Sequence, residues 1–103
     1  MSHALHIEVS DLAKAQIRAA EQWWRLNRPK APNAIREELE RASLLISVQP
    51  EIGARARNVV LPGVRRLHLA RVRYYVYYRV VTDPEQVEIL AFWHASRGSS
   101  PPL

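Results

Sequence analysis

The chain has no cysteine among its 103 residues. A disulfide framework, a thiolate metal site and a cysteine nucleophile are therefore excluded, and a reducing, cytoplasmic setting is expected. No apolar run approaches the roughly 20 residues of a membrane span, and Met1–Glu8 lacks the charged-then-apolar profile of a signal peptide. A soluble protein with no membrane partner is expected. The three glycines and the serines form neither a phosphate loop nor a nucleophile elbow. The four histidines, His3, His6, His68 and His94, have no metal-ligand spacing and no carboxylate or thiol set beside them. Neither a metal, a cofactor nor a covalent mechanism is expected. The length predicts one domain over 1–103, with a single core and no room for a deep enclosed cavity, so function is expected at the surface.

A second absence is local. Between Ile52 and Val81 there is no acidic residue, while Arg55, Arg57, Arg65, Arg66, Arg71, Arg73 and Arg79 all fall there, interleaved with four tyrosines and His68. With +7 in this segment and +5 overall, the remaining residues sum to −2, so an anionic partner would be drawn to one region only. Two readings of these arginines stand. They form a surface that meets phosphate or the acidic face of another protein, or they solvate the outer face of a sheet.

Hydrophobic patterning predicts the order of elements. Ala4–Val9 alternates as a short strand, and Ser10 with Asp11 then suits a helix start. That helix is expected to run to about Arg28 on a stripe of Leu12, Ala19, Trp23 and Leu26, with Trp23 in the core and Trp24 at the rim. Pro29 and Pro32 interrupt it. A second helix from about Asn33 to Val48 presents Ile35, Leu39, Ala42 and Ile46, and the short linker makes the pair antiparallel. Beyond Pro62-Gly63, strands are expected over Arg65–Ala70, Arg73–Val81 and Gln86–His94. The fold class is α+β, ordered β-α-α-β-β-β, with the helical hairpin on one face of a mainly antiparallel twisted sheet. The segment 96–103 has no periodicity and is expected to be an extended, mobile tail. Alternation puts Tyr74, Val76, Tyr78 and Val80 beneath the helices, and Arg73, Tyr75, Tyr77 and Arg79 on an open face beside Arg66 and His68. In the last strand Ile89, Ala91 and Trp93 alternate with Leu90, Phe92 and His94. Both of its faces are apolar, so the second apolar surface is expected to take a partner.

This order, the run Arg65-Arg-Leu-His-Leu-Ala-Arg-Val-Arg-Tyr-Tyr-Val-Tyr-Tyr-Arg-Val80 and the closing Val87-Glu-Ile-Leu-Ala-Phe-Trp-His-Ala-Ser-Arg97 together resemble the RelE/ParE superfamily of bacterial toxin-antitoxin toxins. The ending, with Ile89-Leu90, His94, Ala95-Ser96 and Arg97, is similar to the ParE branch. The resemblance implies a cognate antitoxin, with a DNA-binding N-terminal part and a disordered, acidic-amphipathic C-terminal part that wraps the toxin. That partner is expected on the basic face of Arg65, Arg66, Arg71, Arg73, Tyr75, Tyr77 and Arg79.

The superfamily divides between ribosome-dependent mRNA cleavage (RelE) and poisoning of DNA gyrase by binding (ParE). Arg66 and His68 fall where RelE-type toxins place two lysines, and Arg97 where they place a late arginine. Tyr75, however, stands where their middle-strand arginine belongs, and Ser99–Leu103 offers Pro101 and Pro102 in place of a helix carrying a tyrosine. The resemblance therefore implies a ParE-like gyrase inhibitor with Trp93, His94 and Arg97 at the target. The nuclease alternative would use Arg66, His68, His94 and Arg97, with an imidazole as general acid or base. Strand parity opposes it by separating His68 from His94. A third alternative is a non-catalytic RNA-binding module using the Arg/Tyr face for phosphate contact and base stacking.

Overall fold

Two helices lie on one face of a five-stranded sheet in the computed structural model, which describes residues 4–103. His3 lies outside the described residues. The elements are β1 (His6–Val9), α1 (Asp11–Asn27), α2 (Ala34–Val48), β2 (Ala54–Arg55), β3 (Arg65–Leu69), β4 (Tyr74–Val81) and β5 (Gln86–His94). The spatial order is β1-β5-β4-β3-β2, with β1 parallel to β5 and every other pair antiparallel. The α+β architecture is as expected. The addition is β2, two residues long and preceded by no alternation long enough to announce it.

Ser10 caps α1: its Oγ accepts from the Ala13 N–H at 3.1 Å. The face that α1 buries differs from the expected one. Ala13 and Ala20 are buried, with Ile17 and Trp24 packed beside them, while Trp23 is 47% and Leu26 76% exposed. Trp24 is thus the core residue and Trp23 the rim. Small side chains at 13 and 20 allow the helix to sit close to the sheet, and two polar groups fasten it there. The Ser10 hydroxyl donates to the Leu90 carbonyl at 3.2 Å, and the Gln16 carbonyl accepts from the Phe92 N–H at 2.8 Å. β1 pairs only as far as Ile89, so these side chains satisfy backbone groups of β5 that no strand reaches. In α2 the expected stripe holds, with Ile35, Ala42 and Ile46 buried and Leu39 packed against the same core.

A β-bulge in β5 alters the expected alternation. Tyr77 pairs with Ala91 and Tyr78 with Ile89, leaving Leu90 as an extra residue. Val87, Ile89 and Phe92 consequently share the helix-side core with Val76 and Tyr78. Leu90, Ala91 and Trp93 lie on the other side with Tyr75 and Tyr77. Ile89 was expected with Ala91 and Trp93, and a single inserted residue moves it across.

Around Tyr77, Leu90 and Ala91 the second face is not open. Ala56, Val59, Leu61 and Leu103 pack against buried Val64, Tyr77, Leu90 and Ala91 to form a second apolar cluster. The Ala56 N–H donates to the Val64 carbonyl at 2.8 Å, and the Val60 N–H to the Leu103 carbonyl at 2.7 Å. Pro101 is buried. The expectation of a free, mobile segment over 96–103 is thereby corrected: its end is docked, because the apolar face of β4 and β5 needs a cover and 99–103 is uncharged enough to supply one.

Tyr78 locks the loop after α2 to the sheet. Its hydroxyl donates to the Pro50 carbonyl and accepts from the Gly53 N–H, both at 2.8 Å. Burial holds its pKa above the ordinary value, with the Gly53 hydrogen bond and the Arg65 charge opposing. Gly53 permits this approach, since a Cβ there would meet the Tyr78 hydroxyl at 2.7 Å and the Arg66 carbonyl at 2.9 Å. Tyr78→Phe is expected to cost about 1–3 kcal/mol in denaturant unfolding, because the Gly53 amide loses its partner. Gly53→Ala should cost at least as much. The stability held by the neutral phenol is intact below the ordinary tyrosine pKa of about 10 and falls as pH rises toward the elevated native value, a loss that Tyr78→Phe should diminish.

Candidate functional site

The seven arginines do not share one face. Arg65 points to the helix side, where its guanidinium donates to the carbonyls of Glu51 at 3.2 Å and Gly53 at 2.8 Å. Arg71 ion-pairs with Glu37 at 2.9 Å and Glu38 at 3.5 Å on α2. Hydrogen bonding to Glu37 is the main cause of its raised pKa, with burial opposing. Arg73 lies outside the strand, in the turn between β3 and β4, with φ 61°. Arg79 is on the open face but bonded to its cross-strand partner Glu88 at 3.0 Å. Arg65, Arg71 and Arg73 are thus removed from the expected basic face, and Arg79 is neutralised on it. Tyr77 is on that face but 2% exposed, so it serves the second cluster more than a partner. Strand parity carries no mark of the turn at Arg73 or of the helix-side carbonyls that Arg65 satisfies.

What remains is a short array of cations on aromatic rings. The Arg66 guanidinium sits 4.2 Å from the Tyr75 ring centroid and donates to the Tyr77 hydroxyl at 3.3 Å. That hydrogen bond is the main cause of its raised pKa, with burial opposing and both tyrosines adding to the rise. Arg97 lies 4.1 Å from the Trp93 ring centroid, and the Trp93 indole N–H donates to the Ser99 carbonyl at 2.7 Å. Arg66, Tyr75, Tyr77, Trp93, His94 and Arg97 line one cavity with Ser99 and Ser100. Two further arginines of the basic segment, not expected on this face, join its rim: Arg55 and Arg57, which with Asn58, Arg66 and Ser100 line an adjoining cavity. Their signal was the apolar run Val59–Leu61, which makes this loop a cover and so carries its arginines onto the sheet.

His68 and His94 have different neighbours and share no cavity. His68 is exposed on the open face, 5.0 Å from the Tyr75 ring. His94 pairs with Tyr74 on the helix side and meets that ring edge-on at 5.0 Å. Its Nδ1 is held by the Ser96 hydroxyl at 2.6 Å and by the Ser96 N–H at 3.2 Å. Together with exposed Trp23, Tyr74, Ser96 and Arg97, His94 lines a cleft of about 380 Å³. Tyr74 stacks on Phe92 at 4.4 Å, and burial raises its pKa while the Arg97 charge lowers it. Arg97 therefore borders both faces. His94 does so too, lining this cleft and the cavity on the Trp93 side.

A sequence profile described as the ParE toxin of type II toxin-antitoxin system, parDE, matches residues 7–98. The chain belongs to this toxin family. The fold of the toxin is similar to that of the chromosomal ParDE TA system from P. aeruginosa, at 24% identity over 92% of this chain and 100% of that chain, with a TM-score of 0.72. It is also similar to the isolated E. coli RelE toxin, at 19% identity over 92% of this chain and 88% of that chain, with a TM-score of 0.64. No curated protein matches it. At these identities the two structures bear on the fold alone. The family implies an antitoxin as partner, and no helix among the described residues is long and apolar enough to cross a membrane.

The sorting of arginines has a direct consequence for polyanion binding. On a heparin column, Arg57→Gln and Arg66→Gln should each elute the toxin at clearly lower salt. Arg71→Gln should move elution less, because Glu37 and Glu38 already cancel that charge. Equal shifts for all three would show that only net charge matters.

Proposed function

We propose that this ParE-family toxin acts by binding rather than by cutting RNA, that DNA gyrase is its target, and that a cognate antitoxin neutralises it. The observation that carries the reading is that the two imidazoles do not line one site. A general acid and a general base for RNA cleavage must reach one phosphate. His68 packs on Tyr75 and lies outside the cavity that His94 lines with Arg66, Tyr75 and Arg97. The position that resembles the RelE middle-strand arginine holds Tyr75, whose ring is already covered by Arg66. Arg97, by contrast, is exposed at the end of β5, with Trp93 beneath it and the Trp23–Tyr74–His94 cleft beside it. Aromatic residues and arginine at such an edge are the residue types that dominate protein–protein binding energy.

The test is induction of the toxin without antitoxin in growing cells. Gyrase poisoning predicts DNA damage and loss of supercoiling while translation continues. Arg97→Ala should abolish toxicity, and His68→Ala and His94→Ala should each remain largely toxic. Cleavage of messenger RNA on ribosomes by the purified toxin, abolished by His68→Ala, would replace this reading with the nuclease one.

A further inference from the structure

We infer that residues 99–103 are a displaceable ligand held within the toxin, and that the strip they cover is a docking surface for an extended partner segment combining apolar residues with carboxylates. The segment is fastened at a few points. The Ser99 carbonyl accepts from Trp93, the Leu103 carbonyl accepts from Val60, Pro101 is buried, and Leu103 packs on the second cluster. These contacts satisfy the apolar half of what the surface offers and leave the charged half unmet. Ser99–Leu103 has no charged side chain. Yet at Ser100 it passes Arg55, Arg57 and Arg66, which line the cavity there. Among the described residues none of these three arginines forms an ion pair with a carboxylate.

A segment with the same apolar pattern but carboxylates in place of the two serines would cover Tyr77, Leu90 and Ala91 equally well and neutralise the guanidinium groups besides. It should therefore displace the resident segment. The Arg66 fork is already oriented, fixed between the Tyr75 ring and the Tyr77 hydroxyl, so little side-chain order is lost on binding a carboxylate. The occupant to which the inference commits is the acidic, amphipathic part of the cognate antitoxin. In that respect it rests on the antitoxin reading, whereas the exchange itself is a property of this chain.

The probe is a labelled peptide, Glu-Asp-Glu-Glu-Pro-Pro-Leu, with Ser-Ser-Ser-Ser-Pro-Pro-Leu as its neutral counterpart, titrated against the full chain by fluorescence anisotropy. Because the resident segment competes, the acidic peptide should bind the Trp93→Phe/Leu103→Ala chain about 10-fold more tightly than the wild type. The neutral peptide should bind more weakly to both, and Arg57→Glu with Arg66→Glu should erase the difference between the two peptides. A second arm needs no loosened variant: saturating acidic peptide should accelerate tryptic cleavage after Arg97 in the wild-type chain, because the residues beyond it are released. No detectable binding, equal binding to the wild-type and loosened chains, indifference to the two charge reversals, or unchanged cleavage would each overturn the inference. An antitoxin that neutralises the toxin while the peptide fails would overturn the exchange alone and leave the toxin–antitoxin reading standing.

Discussion

The extra residue at Leu90 is the constraint on which the rest of the molecule depends. Without it, Ile89 would stay on the side of Ala91 and Trp93. With it, Val87, Ile89 and Phe92 line up beneath the helices, while Leu90, Ala91 and Trp93 make an apolar strip on the reverse. A sheet made apolar on both sides must be covered on both sides. The helical hairpin takes one face. The loop 56–64 and the segment 99–103 take the other, and the polar side chains of Ser10 and Gln16 attach α1 to the backbone around the bulge itself.

The charge distribution follows from the same arrangement. Once a loop has to cross the second face, the arginines of that loop are brought to its rim. Arginines facing the helices are absorbed by backbone carbonyls or by Glu37 and Glu38. A segment of +7 thus resolves into structural cations and a smaller set with unmet charge around Arg66. Arginine suits both uses, because its planar fork can satisfy carbonyls in a loop or lie flat on an aromatic ring. The candidate target-facing group at Trp93, His94 and Arg97 is built at the end of β5, where that strand leaves the sheet and both faces become reachable at once.

Much of this was legible in the chain. The order of elements, the Ser10 cap, the α2 stripe and the outward placement of Arg66, His68, Tyr75 and Tyr77 all follow from periodicity and turn chemistry. The apolar second face of β5 was legible too, although the chain's own loop and end cover it where a partner is expected. What could not be read were features decided by tertiary packing. Apolar periodicity on α1 favours the stripe Leu12, Ala19, Trp23 and Leu26, whereas close approach to the sheet selects Ala13 and Ala20 and turns Trp23 and Leu26 outward. The bulge leaves no local mark, since every residue around Leu90 suits a strand. The docking of 99–103 was hidden because prolines and serines read as a loose end until there is an apolar strip for Pro101 and Leu103 to fill.

The central claim is that the chain closes both faces of its own sheet. Hydrogen exchange resolved at the Val60 amide and the Trp93 indole in the isolated toxin tests it most directly, since each of these groups is bonded only to the segment 99–103 in this arrangement. The account predicts that both exchange well below the random-coil rate, with the Tyr77 amide as the protected reference within β4. Exchange of both at the random-coil rate while Tyr77 stays protected would contradict it.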